Sequence, residues 1–348
     1  MNSTQMADSL KILMDARMVG AKTHGIARYV VDLVQDLTAI GHEVTILANS
    51  IETPKRIGSN LNTIYCKTPF AHPAESLELT YKCRGKKFDV FHFPSFALPL
   101  ILPARSVVTI HDLIHLHPPA KLAHQMYYKT IVKHGLTGCS KIITVSDWTK
   151  IELEKFLKVN KEKIQVIRNG IRKISVPKTS VPSKPFVLCL ASLKPHKNVQ
   201  ALLAACRKLW NEGQDFELVL SLGGEELPSK WTELKPKIRL IKNISDEEIN
   251  GYLAHCAAIV STSLFEGFNY PVAEALSLGR FAVLSEGSAH SEFDSPNAIY
   301  FGKPNDINNL ALTLRKVFRG EYQRGSDNNI STLRQMTLST AALYNQVF

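Results

Sequence analysis

The stretch STSLFEGFNYPVAEALSLG, residues 261–279, decides the fold. The run that leads into it, AAIVSTS at residues 257–263, is short, apolar and rich in β-branched residues, so it predicts a buried strand. PVAEALSLG then predicts a helix, with Pro271 at its first position and Gly279 at its end. A second strand, RFAVLSE, follows at residues 280–286. A strand, a loop, a helix and a strand in this order are typical of a parallel sheet.

The loop LFEGFNY within this stretch is the predicted ligand site. It lies at the carboxyl end of a strand, where open α/β sheets bind ligands, and at the amino end of a helix, where N–H groups attract phosphate. Glu266 lies in the loop and Glu274 in the predicted first turn of the helix. Because carboxylates only accept hydrogen bonds, the two suit a phosphate ligand rich in hydroxyls, such as a nucleotide sugar. The alternative is that Glu274 only complements the helix dipole and Glu266 is solvated.

The chain has 348 residues, which suits two domains. Strand and helix patterns alternate through the first half, stop at the proline-rich polar run IRKISVPKTSVPSKP, and restart after it. We therefore predict a first domain at residues 1–172, a linker at about 173–185 and a second domain at 186–330. The tail at residues 331–348 predicts a further helix.

Cysteine usage and the polar termini indicate an intracellular enzyme class rather than a secreted or membrane-spanning one. The six cysteines are scattered with no CxxC pair, which predicts reduced thiols and no metal site. No run qualifies as a membrane span, and the N-terminal residues lack the apolar core of a signal peptide. The acidic run SDEE at residues 245–248 predicts a capping box, Ser245 with Glu248, rather than a metal site. Ser146 likewise predicts a helix N-cap.

The positive charge of the chain is concentrated in its first half. Residues 1–180 hold 25 Lys and Arg against 14 Asp and Glu, a surplus of +11, whereas residues 181–348 hold 17 of each. Such asymmetry predicts an acidic partner: an anionic membrane surface, an anionic acceptor or nucleic acid. The alternative interpretation is a lysine-rich surface that only increases solubility.

Several segments, in the right order, resemble the retaining glycosyltransferases of family four, which have the GT-B fold. FEGFNYPVAEALSLG resembles the family's Glu–seven–Glu signature. HGIARYVVDLVQDL resembles its N-terminal loop and helix, TIHDLIHLHPP its His–Asp segment, and LASLKPHKNVQALL its phosphate-binding segment. The matches span nearly the whole chain. The resemblance implies two Rossmann-like doubly wound α/β domains facing a central cleft, with the helix at 331–348 returning to the first domain.

The resemblance also implies roles for the matching residues. Glu266 would accept hydroxyls of the donor sugar, and Glu274 would accept those of the ribose. Lys197 would neutralise the donor diphosphate, and His111 would stand across the cleft at the sugar, near the acceptor. His111, Glu266 and Lys197 are thus the predicted catalytic residues. The other predicted donor contacts are Gly25, Ser192, His196, the backbone of Gly267 and Phe268, and Asn269.

The sequence departs from the family pattern in two places. The phosphate segment has Ala191, Lys194 and His196 where the family commonly has glycine, glutamate and arginine. Lys197 keeps the positive charge there. In the signature loop, Asn269 and Tyr270 replace a commoner Gly–Leu, which leaves the identity of the donor sugar open.

The implied function is transfer of a hexose, of the mannose or glucose type, from a nucleotide-diphosphate sugar to a glycan or lipid-linked acceptor in lipopolysaccharide or other surface-polysaccharide assembly. No Asp–x–Asp follows a strand, so we expect no metal and no cofactor beyond the donor itself. Lys197 and the loop N–H groups would stabilise the leaving diphosphate, with retention of anomeric configuration. We expect a cytoplasmic location, peripheral on the inner face of the plasma membrane. GDP, UDP and ADP all remain open as the nucleotide.

Two other classes of function are considered. A basic nucleic-acid- or membrane-binding protein on a glycosyltransferase-like fold without activity is the main alternative, but the sequence has no recognised nucleic-acid motif, so no nucleic acid is expected. A dinucleotide oxidoreductase would need G-x-G-x-x-G after the first strand, and Gly20 and Gly25 have the wrong spacing.

Overall fold

The computed structural model describes residues 9–20, 25–58, 60–70, 72–118, 120–326 and 329–348. The chain divides into two compact units, Met1–Gly170 with Ser331–Phe348, and Ile171–Ile330. Each unit contains one parallel sheet with helices on both of its faces, so the predicted α/β class is confirmed. Among the described residues, every helix is too short or too polar to span a bilayer.

The sheet of the first unit has seven parallel strands in the order β3-β2-β1-β4-β5-β6-β7. The strands are β1 (Lys11–Asp15), β2 (Glu43–Ala48), β3 (Asn62–Tyr65), β4 (Val90–Phe93), β5 (Ser106–Ile110), β6 (Lys141–Thr144) and β7 (Ile164–Val166). The helices are α1 (Gly25–Ala39), α2 (Glu52–Ile57), α3 (Glu75–Cys83), α4 (Leu122–Tyr127), α5 (Lys133–Gly138) and α6 (Asp147–Glu152). A π-helical turn, Tyr128–Val132, joins α4 to α5.

Alternate residues of each strand serve the two faces of this sheet. Ile12 and Met14 of β1 belong to the core under α1 and α2. Leu13, between them, belongs to the core under α3, α4 and α5. Because the inner strands β1, β2, β4, β5 and β6 are covered on both faces, they are largely apolar, as expected for a parallel sheet.

The second unit has six parallel strands in the order β10-β9-β8-β11-β12-β13. The strands are β8 (Phe186–Leu190), β9 (Glu217–Ser221), β10 (Ile238–Ile241), β11 (Ala258–Ser261), β12 (Phe281–Leu284) and β13 (Ala298–Tyr300). The helices are α7 (Val199–Asn211), α8 (Asp246–His255), α9 (Tyr270–Ser277) and α10 (Ile307–Phe318). In both sheets the strand order reverses beside the first strand, which is the doubly wound arrangement.

The last helix, α11 (Leu333–Val347), packs against α1 in the first unit. Its Tyr344 is fully buried there, and the His92 ring nitrogen Nδ1 lies 2.6 Å from the Tyr344 hydroxyl. The helix begins with a capping box formed by Thr332 and Gln335. The backbone at the start of α11 lies so close to Gly170 that a Cβ on Gly170 would be 2.4 Å from the Thr332 carbonyl oxygen.

The predicted helix caps are confirmed. The Ser146 side chain accepts a hydrogen bond from the Thr149 N–H at the start of α6. Ser245 and Glu248 form the predicted capping box at the start of α8. The predicted linker, residues 173–185, forms neither helix nor strand. It packs along α8 in the second unit, where a Cβ on Gly251 would lie 1.9 Å from the Thr179 hydroxyl oxygen.

Candidate donor-binding site

Two loops of the second unit meet where its strand order reverses. β8 and β11 are neighbours in the sheet, and the helices that follow them pack in different cores, α7 in one and α9 in the other. The chain between β8 and α7, residues 191–198, and the chain between β11 and α9, residues 262–269, therefore leave the same sheet edge side by side. Open α/β sheets bind their ligands at this position.

Backbone contacts hold the two loops together. The Leu264 N–H donates to the His196 carbonyl oxygen at 2.7 Å. The Thr262 hydroxyl lies 3.2 Å from the carbonyl oxygen of Lys197 and 2.9 Å from that of Asn198. Asn198 itself has φ 48°, in the left-handed region, and ends the short 3₁₀ turn Pro195–Lys197 before α7. The phosphate-segment match and the signature-loop match thus lie in one place.

Lys197 and Glu266 form an ion pair across this junction. The Lys197 ammonium donates to Glu266 Oε1 at 2.7 Å, and the Ser263 hydroxyl donates to the same oxygen at 2.7 Å. Burial by itself would raise the pKa of Glu266, but the charge of Lys197 and these hydrogen bonds together hold that pKa below its usual value. The carboxylate is therefore ionised at neutral pH, and both side chains remain partly accessible, 26% for Lys197 and 11% for Glu266.

Asn269 fixes the shape of the loop between Glu266 and α9. Its backbone has φ 105° and ψ 80°, a region that L-residues rarely adopt. Its side-chain oxygen accepts from the Val272 N–H, and its amide group donates to Ser261 Oγ at 3.2 Å and to His290 Nε2 at 3.1 Å. These bonds hold in place a backbone conformation that glycine would adopt more easily.

His290 is a buried partner of the loop that the sequence reasoning missed. Its Nε2 accepts from Asn269, so its proton lies on Nδ1, which is 3.3 Å from Ser285 Oγ. The Ser285 hydroxyl in turn donates to the Ser263 carbonyl oxygen at 2.7 Å. Burial lowers the pKa of His290 to about 4, although Glu266 acts in the opposite direction. A lone histidine in GSAHSEF has no spacing signal, so only the fold reveals this contact.

Glu274 lies in the second turn of α9 and not in the first, which corrects the sequence prediction. Because Asn269 caps the Val272 N–H, the helix begins at Tyr270, one residue before the predicted start, and its first turn has no acidic residue. The interpretation of Glu274 as a first-turn dipole partner is therefore wrong. Glu274 is 5% exposed.

The remaining predicted donor contacts of the second unit lie around the same junction. Gly267 is buried directly after Glu266, and Phe268 follows it with its ring packed on those of Tyr270 and Phe293. Ser192 is half-buried after β8. Both loops thus present backbone groups of the predicted donor contacts at the same sheet edge.

His111 and Gly25 lie in the first unit. His111 follows β5, with Nε2 3.2 Å from the Pro94 carbonyl oxygen and its ring edge-on to Tyr29 at 4.8 Å. The Tyr29 hydroxyl and His92 Nε2 both contact the hydroxyl of Thr109. Gly25 begins α1, and residues 21–24 of the loop before it lie outside the described residues.

The part of the chain that the structure describes contains no group of three or more His, Cys, Asp or Glu side chains suited to a metal ion. All six cysteines are buried, and burial raises the pKa of Cys66 to about 11 and of Cys189 to about 12.

Comparison with known families and proteins agrees with this arrangement. Residues 23–173 match the family model described as Glycosyltransferase Family 4, and residues 171–332 match the model described as Glycosyl transferases group 1. Together the two models span residues 23–332, which contain every strand of both sheets except β1.

Among curated proteins, the chain is 25% identical over 226 residues to the O-antigen chain mannosyltransferase RfbU of Salmonella typhimurium, with 63% of this chain and 62% of that protein covered. It is 24% identical over 264 residues to O-antigen chain mannosyltransferase B of Escherichia coli, with 69% and 68% covered. The chain thus spans less than two thirds of the first of these relatives.

Among solved structures, the sucrose-phosphate synthase of Thermosynechococcus elongatus superposes with a TM-score of 0.78 at 16% identity, and the alignment covers 97% of this chain and 99% of that one. At this identity the likeness shows the fold, which is GT-B.

Proposed function

The chain belongs to glycosyltransferase family four, and on this premise we propose that it transfers a hexose from a nucleotide-diphosphate sugar to a glycan or lipid-linked acceptor, with retention of configuration. The observation that carries the proposal is the Lys197–Glu266 pair at the strand-order reversal of the second sheet. It combines a cation suited to a diphosphate with a carboxylate suited to sugar hydroxyls.

Each partner of the pair has a distinct use. An ammonium group has three N–H donors, and the bond to Glu266 uses one of them, so Lys197 can also donate to phosphate oxygens. Glu266 is held ionised and fixed by Ser263, so its second oxygen can accept a hydroxyl of the sugar. The start of α9 lies beside this pair, and its helix dipole adds positive potential for the diphosphate.

We propose that bond breaking is stabilised by Lys197 and the positive end of α9 without a metal ion. The bond between the anomeric carbon and the diphosphate oxygen breaks, and the electron pair leaves with the diphosphate. The acceptor hydroxyl forms the new bond on the same face, and its proton passes to the departing phosphate. His111 is proposed to contact the sugar and acceptor, and Glu274 to accept the ribose hydroxyls.

The donor is proposed to carry a mannose- or glucose-type hexose, as GDP-mannose or a UDP-sugar. The two curated relatives, both O-antigen chain mannosyltransferases, support mannose. They also support an acceptor in lipopolysaccharide or other surface-polysaccharide assembly. The basic first half supports a cytoplasmic enzyme that is peripheral on an anionic membrane.

The test is a thermal-shift panel of GDP, UDP, ADP and their sugars on the full chain. The true donor at 100 times its dissociation constant should stabilise the protein by about 2.7 kcal/mol. Glu274→Ala should reduce the stabilisation by the nucleotide alone. Glu266→Ala should leave the stabilisation by the nucleotide unchanged and remove the additional stabilisation that the sugar provides. A wild-type protein that responds to none of these compounds would contradict the proposal.

Metal dependence is tested separately by measuring sugar transfer with the identified donor in EDTA. Unchanged transfer is expected, because Lys197 supplies the positive charge at the diphosphate. Loss of wild-type transfer in EDTA, or full transfer by Lys197→Ala, would remove the metal-free mechanism.

A further inference from the structure

Large apolar side chains are exposed along one face of the first sheet. On α3, Leu77 is 64% exposed and Tyr81 is 76% exposed. On α4, Leu122 is 71% and Met126 is 59% exposed. Between these helices in the chain, Ile101 is 73% exposed. Within each helix the two residues are four apart, so they project from the same side.

Contacts place these three segments next to one another. The Leu100 N–H donates to the Ser76 carbonyl oxygen at 3.3 Å, and the Ile101 N–H lies 3.3 Å from the Thr80 hydroxyl, so this loop runs along α3. The Tyr127 hydroxyl of α4 donates to the Phe96 carbonyl oxygen at 3.3 Å, in the segment that leads into this loop. Both helices pack on the same core under the sheet. We call the surface formed by Leu77, Tyr81, Ile101, Leu122 and Met126 the apolar face.

Exposed cations flank, along the chain, the helices that form the apolar face. Three follow the end of α3 and three lie on or beside α4 and α5: Arg84, Lys86, Lys87, Lys121, Lys129 and Lys133. Residues 113–146 contain no Asp or Glu. The nearby Glu78 carboxylate is occupied by the N–H groups of Lys67 and Thr68, at 2.8 and 2.6 Å. The rim of the face is therefore positive.

We propose that the apolar face enters the headgroup layer of a membrane containing anionic lipid, with the surrounding cations on the phosphates. The inference rests on the proposed function in one respect: a lipid-linked acceptor would be bound at this membrane surface. Apolar side chains ringed by Lys and Arg are complementary to such an interface. A second copy of this chain fits poorly, because a symmetric contact would bring the same cations against each other.

The first experiment places a thiol-reactive, environment-sensitive dye at Leu77→Cys. The six native cysteines are buried, so the introduced thiol is labelled selectively. The matched control is Ile51→Cys, because Ile51 is 63% exposed and lies beside α2, which packs on the opposite face of the sheet. With phosphatidylglycerol vesicles, the dye at 77 should shift to shorter wavelength and the dye at 51 should not. Equal shifts at both positions would overturn the proposal.

The second experiment separates apolar insertion from charge attraction. At about 1 M NaCl, where the Debye length is about 3 Å, binding that depends only on charge is lost, whereas the apolar face should retain measurable binding to the same vesicles. Tyr81→Ser with Leu122→Ser should reduce this residual partition at least about tenfold, which corresponds to about 1.4 kcal/mol. Ile51→Ser should leave it unchanged. Complete release of the wild-type protein at this salt would overturn the proposal.

Two readouts keep the outcomes distinct. Light scattering of the variants without lipid detects a dimer interface, and a change from dimer to monomer in the Tyr81→Ser, Leu122→Ser protein would overturn the membrane assignment. The nucleotide thermal shift, measured in solution, should be the same in wild type and variant. Loss of lipid binding by the variant with intact nucleotide binding would support the apolar face as the membrane contact. Absence of nucleotide binding by the wild type would contradict the proposed function and leave the lipid measurement unaffected.

Discussion

A single asparagine, Asn269, determines how the loop after Glu266 enters its helix. The sequence revealed that Asn269 departs from the family pattern, but not its structural role. That role depends on Ser261 and His290, which lie 8 and 21 residues away in the chain, and on a backbone φ of 105°. Contacts of this kind follow from the fold of several elements and have no local spacing signal.

Replacing Asn269 with alanine should destabilise the second unit. Alanine would keep the unfavourable φ and lose the three side-chain hydrogen bonds, so we expect a loss of about 1–3 kcal/mol in the free energy of unfolding. Asn269→Gly should cost less, because glycine adopts this backbone conformation without strain. Urea unfolding measures the stability of both variants. An Asn269→Gly protein less stable than the Asn269→Ala protein would contradict this prediction.

The stability of the protein should fall on acidification partly because of His290. Its pKa is lowered from 6.5 to about 4 in the folded chain, so below pH 6.5 the unfolded chain binds the proton first. The resulting loss between about pH 6.5 and 4 is on the order of 3 kcal/mol. His290→Gln keeps an acceptor for Asn269 and removes the titration, so its stability should depend less on pH in this range.

The measurement is the unfolding midpoint in urea at several pH values between 4 and 7. Replacing the exposed His134 with Gln is the control and should leave the pH dependence of the wild type in place. The fully buried His92, with a pKa of about 3, titrates in both proteins and cancels in the comparison. Identical pH profiles for wild type and His290→Gln would rule out this role.

The Lys197–Glu266 pair should show strong energetic coupling. Its partly buried side chains are fixed by Ser263, whereas the pair Lys184–Asp215 has a similar distance of 2.8 Å but side chains 51% and 60% exposed. In double-mutant cycles to alanine, we expect a coupling of about 1–3 kcal/mol for the first pair and a clearly smaller coupling for the exposed second pair. Equal couplings would show that the junction is not held by this contact.

At the scale of elements, the strand–helix order could be predicted from the sequence, because each buried strand is a short apolar run. Lys197 and Glu266, which lie 69 residues apart, were assigned to one site through the resemblance to the family and not through the strand–helix order. The short edge strand β3 and the helices α2 and α3 were not predicted, since their residues are largely polar and half exposed. Glu274 was predicted in the first turn instead of the second because the cap at Asn269 moves the helix start earlier by one residue.

Gly170→Ala should destabilise the packing of α11 on the first unit. A Cβ at this position would meet the backbone of Thr332 and Leu333 at 2.4–2.6 Å, which side-chain rotation cannot relieve. We expect a loss of about 1–3 kcal/mol. Gly138→Ala is the control, because its Cβ would meet only the Leu102 side chain at an ordinary 3.7 Å. Thermal unfolding compares the two, and equal midpoints would contradict the close approach.

At the scale of the whole molecule, the charge surplus of the first 180 residues should govern how the protein reaches membranes at low salt. Changing Arg84 and Lys87 to Glu should weaken binding to anionic vesicles at about 0.02 M salt by at least tenfold, since each basic residue near the surface contributes about 1 kcal/mol. Lys235 and Lys237, in the balanced second half, provide the control pair. Vesicle sedimentation measures both, and equal losses would indicate a non-specific effect of net charge.

The position of α11 also has a consequence for how the protein is made. The second unit is one continuous segment, Ile171–Ile330, but the first unit is completed only by residues that follow it. At about 5–20 residues per second, a ribosome needs roughly 10–30 s to add that segment. During this interval His92 lacks its contact with Tyr344, and the core surface that α11 later covers is accessible to chaperones. The half translated first is therefore the half that finishes folding last.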